Sequence, residues 1–138
     1  MSKKSKLEEQ DSLLKNFQSQ ASKSLIRHRS VLDIITKLDE YNSRINRAVA
    51  KSVTNCGCIS VNAKKQVFDG ESYDELADTV ENHLHGDICN HCKEIIESEI
   101  GNYVFYLASL CNTLDLNLSD ITEKEYNVSK TLGVFSLK

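Results

Sequence analysis

The chain has 138 residues and a formal net charge of −3, and it contains neither proline nor tryptophan. This length suffices for one domain with a buried core, and a second domain is not expected. The slightly negative charge argues against a nucleic-acid partner, so the short basic clusters around Lys4 and Arg27 are interpreted as solvated helix faces.

The N-terminal residues are polar and lack the apolar core of a secretory signal peptide. Nor is any stretch long and apolar enough to predict a membrane span. We therefore expect a cytoplasmic protein with no membrane partner. In such a reducing compartment, paired cysteines hold metal more often than they form disulfides.

An apolar seven-residue repeat runs through the first third of the chain and is typical of a helix. The repeat is strong from Val31 to Val53 and dilute before Leu25, and one long helix accounts for it. Residues 1–24 are predicted to form a polar helical arm, either disordered or ordered against the matching helix of a second chain. Residues 25–138 are predicted to form a single helical domain.

Two close pairs of cysteines follow, Cys56 with Cys58 and Cys89 with Cys92. Zinc favours four tetrahedral soft ligands, and two short pairs brought together by the fold supply them. Gly57 between the first two cysteines lets the backbone bend so that both sulfurs can face one ion. The spacing predicts a structural zinc site, because four thiolates leave no coordination position for a reacting water.

Two other interpretations of the cysteines remain open at this point. They could form disulfides, or they could be unrelated buried residues, because a free cysteine often behaves as a small apolar side chain. His91 lies inside the second pair and is the first substitute if one cysteine is not a ligand. Cys111 lies on an apolar helical stretch and is assigned to the core.

The segment between the two cysteine pairs predicts mixed structure. Residues 59–63 and 66–68 are typical of a short extended loop or hairpin. Ser72 and Glu75 form a capping-box pattern that predicts the start of a second helix. Its apolar face continues to Leu84.

The third predicted helix begins around Asp87 and carries the second cysteine pair on its first turn. Zinc would then clamp the end of the first helix to the start of the third. Ser119 is the predicted cap of a fourth helix, which ends at Leu132 and Gly133. The expected fold is an all-α antiparallel bundle with a zinc-stapled corner and a short extended loop.

The last two predicted helices carry a resemblance to a known family. Residues 99–118 read Glu-Ile-Gly-Asn, then an apolar helix, then Leu-Asp-Leu-Asn-Leu. This run resembles MazG-like nucleotide pyrophosphohydrolases, which typically read Glu-Leu-Gly-Asp, an apolar helix and Leu-Gly-Ile-Asp-Leu. Residues 38–49 are similar to the family's first acidic helix, so the resemblance extends over residues 31–130. It implies a bundle of the MazG-like type and a homodimer built from helical pairs.

The resemblance also implies a magnesium site, in which carboxylates on two helices hold the ion against a nucleoside triphosphate. In this sequence Tyr41 and Arg44 stand at the first two carboxylate positions, and Asn102 stands at the aspartate position. Glu99 is the matching ligand that remains. A shift of one residue on the first helix would give Glu40 a role without completing the set.

Three functions are consistent with these residues. The favoured one is a MazG-like zinc protein that is no longer catalytic and binds a nucleotide or a protein. Arg44 and Lys51 would then contact the phosphates of a nucleotide. It is favoured because carboxylates on one helix without an opposing acidic helix bind magnesium poorly.

The second function is an active, magnesium-dependent nucleoside triphosphate pyrophosphohydrolase. Its catalytic candidates are Glu94, Glu97 and Glu99, together with an acid from elsewhere such as Glu40 or Asp78. The simpler interpretation of the three glutamates is a solvated acidic face. The third function is a small zinc-dependent adaptor that shares only the bundle topology with the family.

Overall fold

A computed structural model describes residues 3–136, with all side chains in that range except those of residues 3–5, 7, 8, 10, 11, 134 and 136. The described chain is mainly helical, so the expected fold class is confirmed at that level. Two short antiparallel strands accompany the helices. The elements are α1 (Lys3–Ser24), α2 (Val31–Lys51), β1 (Ile59–Val61), α3 (Tyr73–Thr79), β2 (Leu84–Gly86), α4 (Asn90–Thr113) and α5 (Leu118–Leu132).

The described residues fall into two compact units. The first unit comprises the described residues up to Arg44 and those from Glu99 onward, and it contains α1 and α5. The second unit is Ile45–Ser98, and it contains the end of α2, both strands, α3 and the start of α4. The predicted division into an arm over residues 1–24 and one domain over residues 25–138 stays a prediction.

The expectation of one long N-terminal helix is wrong, because the chain leaves helical geometry between Ser24 and Val31. Ser30 lies directly before α2 and acts as its cap. Its hydroxyl accepts a hydrogen bond from the Leu32 N–H at 3.3 Å, and its carbonyl accepts one from the Ile34 N–H at 2.9 Å. A serine that satisfies the first N–H groups of a helix favours a new helix start over continuation of the old one.

The core of the first unit is small and lies along the inner faces of its helices. Ile34 on α2 and Ala108 on α4 are fully buried, and Ala21 on α1 is nearly so. The Tyr106 ring stacks on Tyr41 with centroids 5.5 Å apart. Residues of α1, α2 and α4 all contribute, so α1 shares in the core of its own chain.

Gln18 fixes α1 to the turn between α4 and α5. Its Nε2 donates to Asn112 Oδ1 at 3.0 Å and to the Leu116 carbonyl at 2.8 Å. Its Oε1 accepts from the Leu118 N–H at 2.8 Å, and its carbonyl accepts from Asn112 Nδ2 at 2.9 Å. The Gln18 side chain therefore bonds a carbonyl of the turn between α4 and α5 and also accepts the first N–H of α5.

The second unit confirms one predicted helix start and corrects its end. Ser72 caps α3 and accepts from the Glu75 N–H at 3.2 Å. The helix ends at Thr79 rather than continuing to Leu84, because the chain turns extended at Val80 and then forms β2.

Strand β1 pairs with β2 in antiparallel register, with Ile59 opposite Gly86. Of the two alternatives for residues 59–63 and 66–68, an extended loop or a hairpin, the hairpin is therefore wrong, since β1 pairs with a strand that follows α3. The amide of Gln66 instead bonds both ways with the backbone of Glu81, donating at 2.6 Å and accepting at 3.0 Å. This pair of bonds closes the segment that joins the two strands.

The start of the last helix also differs from the prediction. Asn117, not Ser119, caps α5, and its side chain accepts from the Asp120 N–H at 3.2 Å. Ser119 is buried inside the first turn. The predicted exit is confirmed, since α5 ends at Leu132 and Gly133 follows with φ +53°. Among the described helices, none is both long enough and apolar enough to cross a membrane.

Candidate metal centre

The first cysteine pair lies where α2 ends. A π-helical turn, Ser52–Cys56, continues α2, and Gly57 follows it in the left-handed region with φ +76°. The Gly57 N–H donates to the Ser52 carbonyl at 2.9 Å, and Cys58 Sγ lies 3.8 Å from the same oxygen. The left-handed glycine thus turns the chain so that Cys58 folds back toward the end of the helix.

The second pair lies where α4 begins, as the sequence predicts. Cys89 occupies the capping position, and its carbonyl accepts the Lys93 N–H at 2.9 Å. Its Sγ accepts the Cys92 N–H at 3.4 Å. The positive end of the helix dipole and this N–H both favour a thiolate at Cys89.

The small sheet brings the two pairs together. Cys58 directly precedes Ile59 of β1, and Gly86 of β2 comes three residues before Cys89. Gly86 has φ +85°, and a Cβ added there would lie 2.7 Å from the Cys58 carbonyl oxygen. Sequence reasoning treated this region as helical and missed the strand, although a glycine shortly before a cysteine pair was a usable signal for close backbone approach.

The four sulfurs form one cluster. All four Sγ atoms lie within 4.8 Å of one another, and Cys56 Sγ lies 3.8 Å from Cys89 Sγ. Tetrahedral zinc with bonds of about 2.3 Å to sulfur places its ligands about 3.8 Å apart, which this separation matches. All five cysteines are free, so the structure does not support the disulfide alternative. The cluster could hold a metal ion such as zinc.

Protonation differs between the cysteines of the cluster. The hydrogen bond from the Cys92 backbone N–H lowers the pKa of Cys89 to about 7, and bonds from neighbouring thiols contribute. For Cys92 itself, a hydrogen bond with Ser52 lowers the pKa. Burial and the three other thiols outweigh that bond and raise the pKa to about 12. A cation that binds the four sulfurs would therefore displace protons from them.

The other candidate sulfur and nitrogen ligands lie outside the cluster. Cys111 is buried in the first unit, as predicted for a core residue. His91 lies exposed on the first turn of α4. Among the described residues, the four cysteines are the one group of three or more cysteine, histidine or acidic side chains close enough to share an ion.

The acidic candidate Glu99 is paired with a cation. Its side chain is 18% exposed, and its Oε2 lies 3.2 Å from Arg44 Nε. Arg44 also lies 3.4 Å from Glu40 Oε1 and stands over the Tyr41 ring at 5.5 Å. The Glu99 carboxylate raises the pKa of the Arg44 guanidinium. Arg44 therefore lies between the carboxylates of Glu40 and Glu99.

The remaining site candidates are exposed and lie in the second unit. Glu97 pairs with Lys93 at 3.7 Å across one helical turn. Glu94, Asp78 and Lys51 are exposed. The structure thus does not bring the acidic candidates into a metal-holding group within residues 3–136, and their catalytic assignment stays a prediction.

No protein-family model, curated protein or solved structure matches this chain. What the fold and the site define is a mainly helical protein with a four-cysteine cluster able to hold a metal ion.

Proposed function

We propose that the chain is a zinc-stapled helical module of the MazG-like type that binds a partner and catalyses no reaction. The zinc assignment is supported by the chemistry of the cluster, since four thiolates in a compact group suit a soft, tetrahedral ion. Cysteines from the end of α2 and the start of α4 fill every tetrahedral position. The ion therefore has a structural role in this proposal.

The non-catalytic assignment is based on the position of Arg44. A magnesium ion needs several oxygen ligands around it, and a guanidinium between Glu40 and Glu99 opposes a second cation by charge and by space. Arg44 is half exposed, so its ion pairs add little stability. In this proposal, the ion pairs of Arg44 matter because they limit which ions the two carboxylates can bind.

A protein partner is supported better than a nucleotide. The guanidinium of Arg44 already faces two carboxylates, so its charge is not available to phosphates. The segment between β1 and β2 exposes three large apolar side chains, Val67, Phe68 and Tyr73, and Phe68 is 72% exposed. Exposed apolar groups gathered on one segment mark a protein contact more often than a phosphate site.

The test is pyrophosphate release from a panel of canonical and modified nucleoside triphosphates, with magnesium or manganese and zinc-loaded protein. We expect no turnover from the wild type and no change in Glu99→Gln. Turnover that Glu99→Gln abolishes would contradict the proposal and support a pyrophosphohydrolase. A third outcome is that a nucleotide with magnesium raises the melting temperature but is not cleaved. The protein would then still be non-catalytic, but its partner would be a nucleotide and not a protein.

A further inference from the structure

We propose that Cys56 and Cys89 are a peroxide-reactive pair whose oxidation to a disulfide releases the metal ion. This inference rests on the proposed zinc site and adds a modification to it. The class of reagent is a small hydroperoxide, which donates one oxygen equivalent to a thiolate.

Solvent exposure distinguishes the four cysteines. Cys56 is exposed, Cys58 and Cys89 are half-buried, and Cys92 is buried. Cys56 ends the π-helical turn and is followed by Gly57, where an added Cβ would meet no atom within 4 Å. A solvent-borne oxidant therefore reaches Cys56 before it reaches the other ligands.

The distance between the sulfur atoms identifies Cys89 as the partner of Cys56 in the disulfide. Cys89 Sγ lies 3.8 Å from Cys56 Sγ. A disulfide requires the two sulfurs to approach to about 2.05 Å, so a displacement of under about 2 Å suffices. Gly57 supplies a flexible joint for that displacement on the Cys56 side.

The reaction balances with one peroxide per disulfide. The Cys56 thiolate attacks one peroxide oxygen, the O–O bond breaks, and the products are a sulfenic acid at Cys56 and hydroxide. The Cys89 thiolate then attacks the Cys56 sulfur, the S–O bond breaks, and a second hydroxide leaves. Two thiolates lose two electrons in total, and the peroxide gains them.

Release of the ion follows from ligand loss. A disulfide sulfur carries no charge and binds zinc weakly, so the ion keeps only Cys58 and Cys92 as thiolate ligands. The link that the ion provides between the end of α2 and the start of α4 is lost with it. The site would thereby report oxidant by releasing zinc.

The experiment uses zinc-loaded wild-type protein, with its zinc content measured before any oxidant is added. Hydrogen peroxide is then titrated while a chromogenic chelator records free zinc and a maleimide counts thiols. We expect loss of one zinc per chain together with loss of two thiols, and peptide mapping should show Cys56 joined to Cys89. Zinc retained while thiols disappear, or a map in which other cysteines are joined, would overturn the inference.

A protein that holds no zinc before oxidation would overturn the proposed zinc site instead, so the two failures are distinguishable. Matched variants provide the control, since Cys56→Ser and Cys58→Ser each remove one ligand from the same pair. The peroxide-dependent thiol loss at Cys89 should vanish in the Cys56 variant and persist in the Cys58 variant. Equal loss in both variants would contradict the role of Cys56.

Discussion

Arg44 lies between two carboxylates, and Lys37 contacts one of them, with its Nζ 2.8 Å from Glu40 Oε2. Glu40 lies 3.4 Å from Arg44 and Glu99 lies 3.2 Å from it. The sequence alone places an arginine where the resembling family has an acid, but it does not show that the arginine turns inward to the acids. Its side chain places a positive charge beside both acids.

Replacing this charge should therefore create a cation site. In Arg44→Glu three carboxylates converge, and we expect millimolar magnesium to raise the melting temperature of the variant while leaving the wild type unchanged. Differential scanning fluorimetry with and without magnesium measures this. Arg47→Glu makes the same charge change on the same helix and should show no magnesium response. A magnesium response in the wild type would contradict the assignment of Arg44 as the resident cation.

At the scale of elements, the close approach of β2 to the first cysteine pair depends on one glycine. Gly86→Ala would place a methyl group 2.7 Å from the Cys58 carbonyl oxygen at φ +85°. The left-handed backbone alone costs about 1–2 kcal/mol for a residue with a Cβ, and the clash adds to it. We expect a lower free energy of unfolding and weaker zinc binding, measured by denaturant titration and chelator competition.

Gly101 provides the matched control for this substitution. It lies within α4, and an added Cβ would meet no atom within 4 Å. Gly101→Ala should stabilise the protein by about 0.5–1 kcal/mol through helix propensity and leave zinc binding unchanged. A comparable loss of stability and of zinc binding in both variants would show that the close approach of β2 to Cys58 does not explain the effect of Gly86→Ala.

Gln18 on α1 makes three side-chain hydrogen bonds that attach this helix to its own chain. Gln18→Ala removes three hydrogen bonds to the region where α4 ends and α5 begins, and we expect a destabilisation of about 1–2 kcal/mol. Hydrogen exchange should show faster opening of α1. Gln20→Ala on the same helix removes only a bond to Ser24 and should cost much less. Equal destabilisation by Gln18→Ala and Gln20→Ala would mean that other contacts attach α1 to the chain.

The sequence predicts an element well when the residues that determine it lie close together in the chain. The cluster of four cysteines was predictable because two short pairs at metal-ligand spacing need only a turn at each end. The cap of α3 was predictable because Ser72 and Glu75 are three residues apart. Strand β2 was not, because Leu84 continues the apolar face of α3 and its strand geometry comes from pairing with Val61.

The same reasoning explains the missed contacts. The bonds of Gln18 join it to residues at least 94 positions away, and no periodic pattern records such a partner. The break before α2 was missed because the heptad repeat continues across it, while the Ser30 cap is a single residue. Nonlocal hydrogen bonds therefore account for the pairing of β1 with β2 and for the contacts of Gln18, whereas single capping residues account for the break before α2 and the start of α5.

At the scale of the whole molecule, the homodimer stays a prediction. The N-terminal half of α2 exposes Val31, Leu32 and Ile35, and Leu32 is 67% exposed. Such a stripe on one helix favours pairing with a second helix. We expect a dimeric mass by light scattering coupled to size exclusion, and a shift toward monomer in Leu32→Lys.

Val67→Lys is the control for added charge at an exposed apolar position, because Val67 lies in the segment between β1 and β2 and is 58% exposed. It should leave the mass unchanged. A monomeric wild type at micromolar concentration would contradict the predicted dimer. Dissociation by Val67→Lys alone would move the interface from α2 to that segment.

In the proposed structure of the site, a structural zinc ion joins the end of α2 to the start of α4. The most direct measurement is the zinc-to-protein ratio by native mass spectrometry, for the wild type and for Cys89→Ser, with His91→Ala as the control. We expect one zinc per chain in the wild type and in His91→Ala. In Cys89→Ser we expect loss of the ion together with a lower melting temperature. A fully folded wild type without metal, or a Cys89→Ser variant with full zinc content and unchanged melting, would rule out a structural zinc ion at this site.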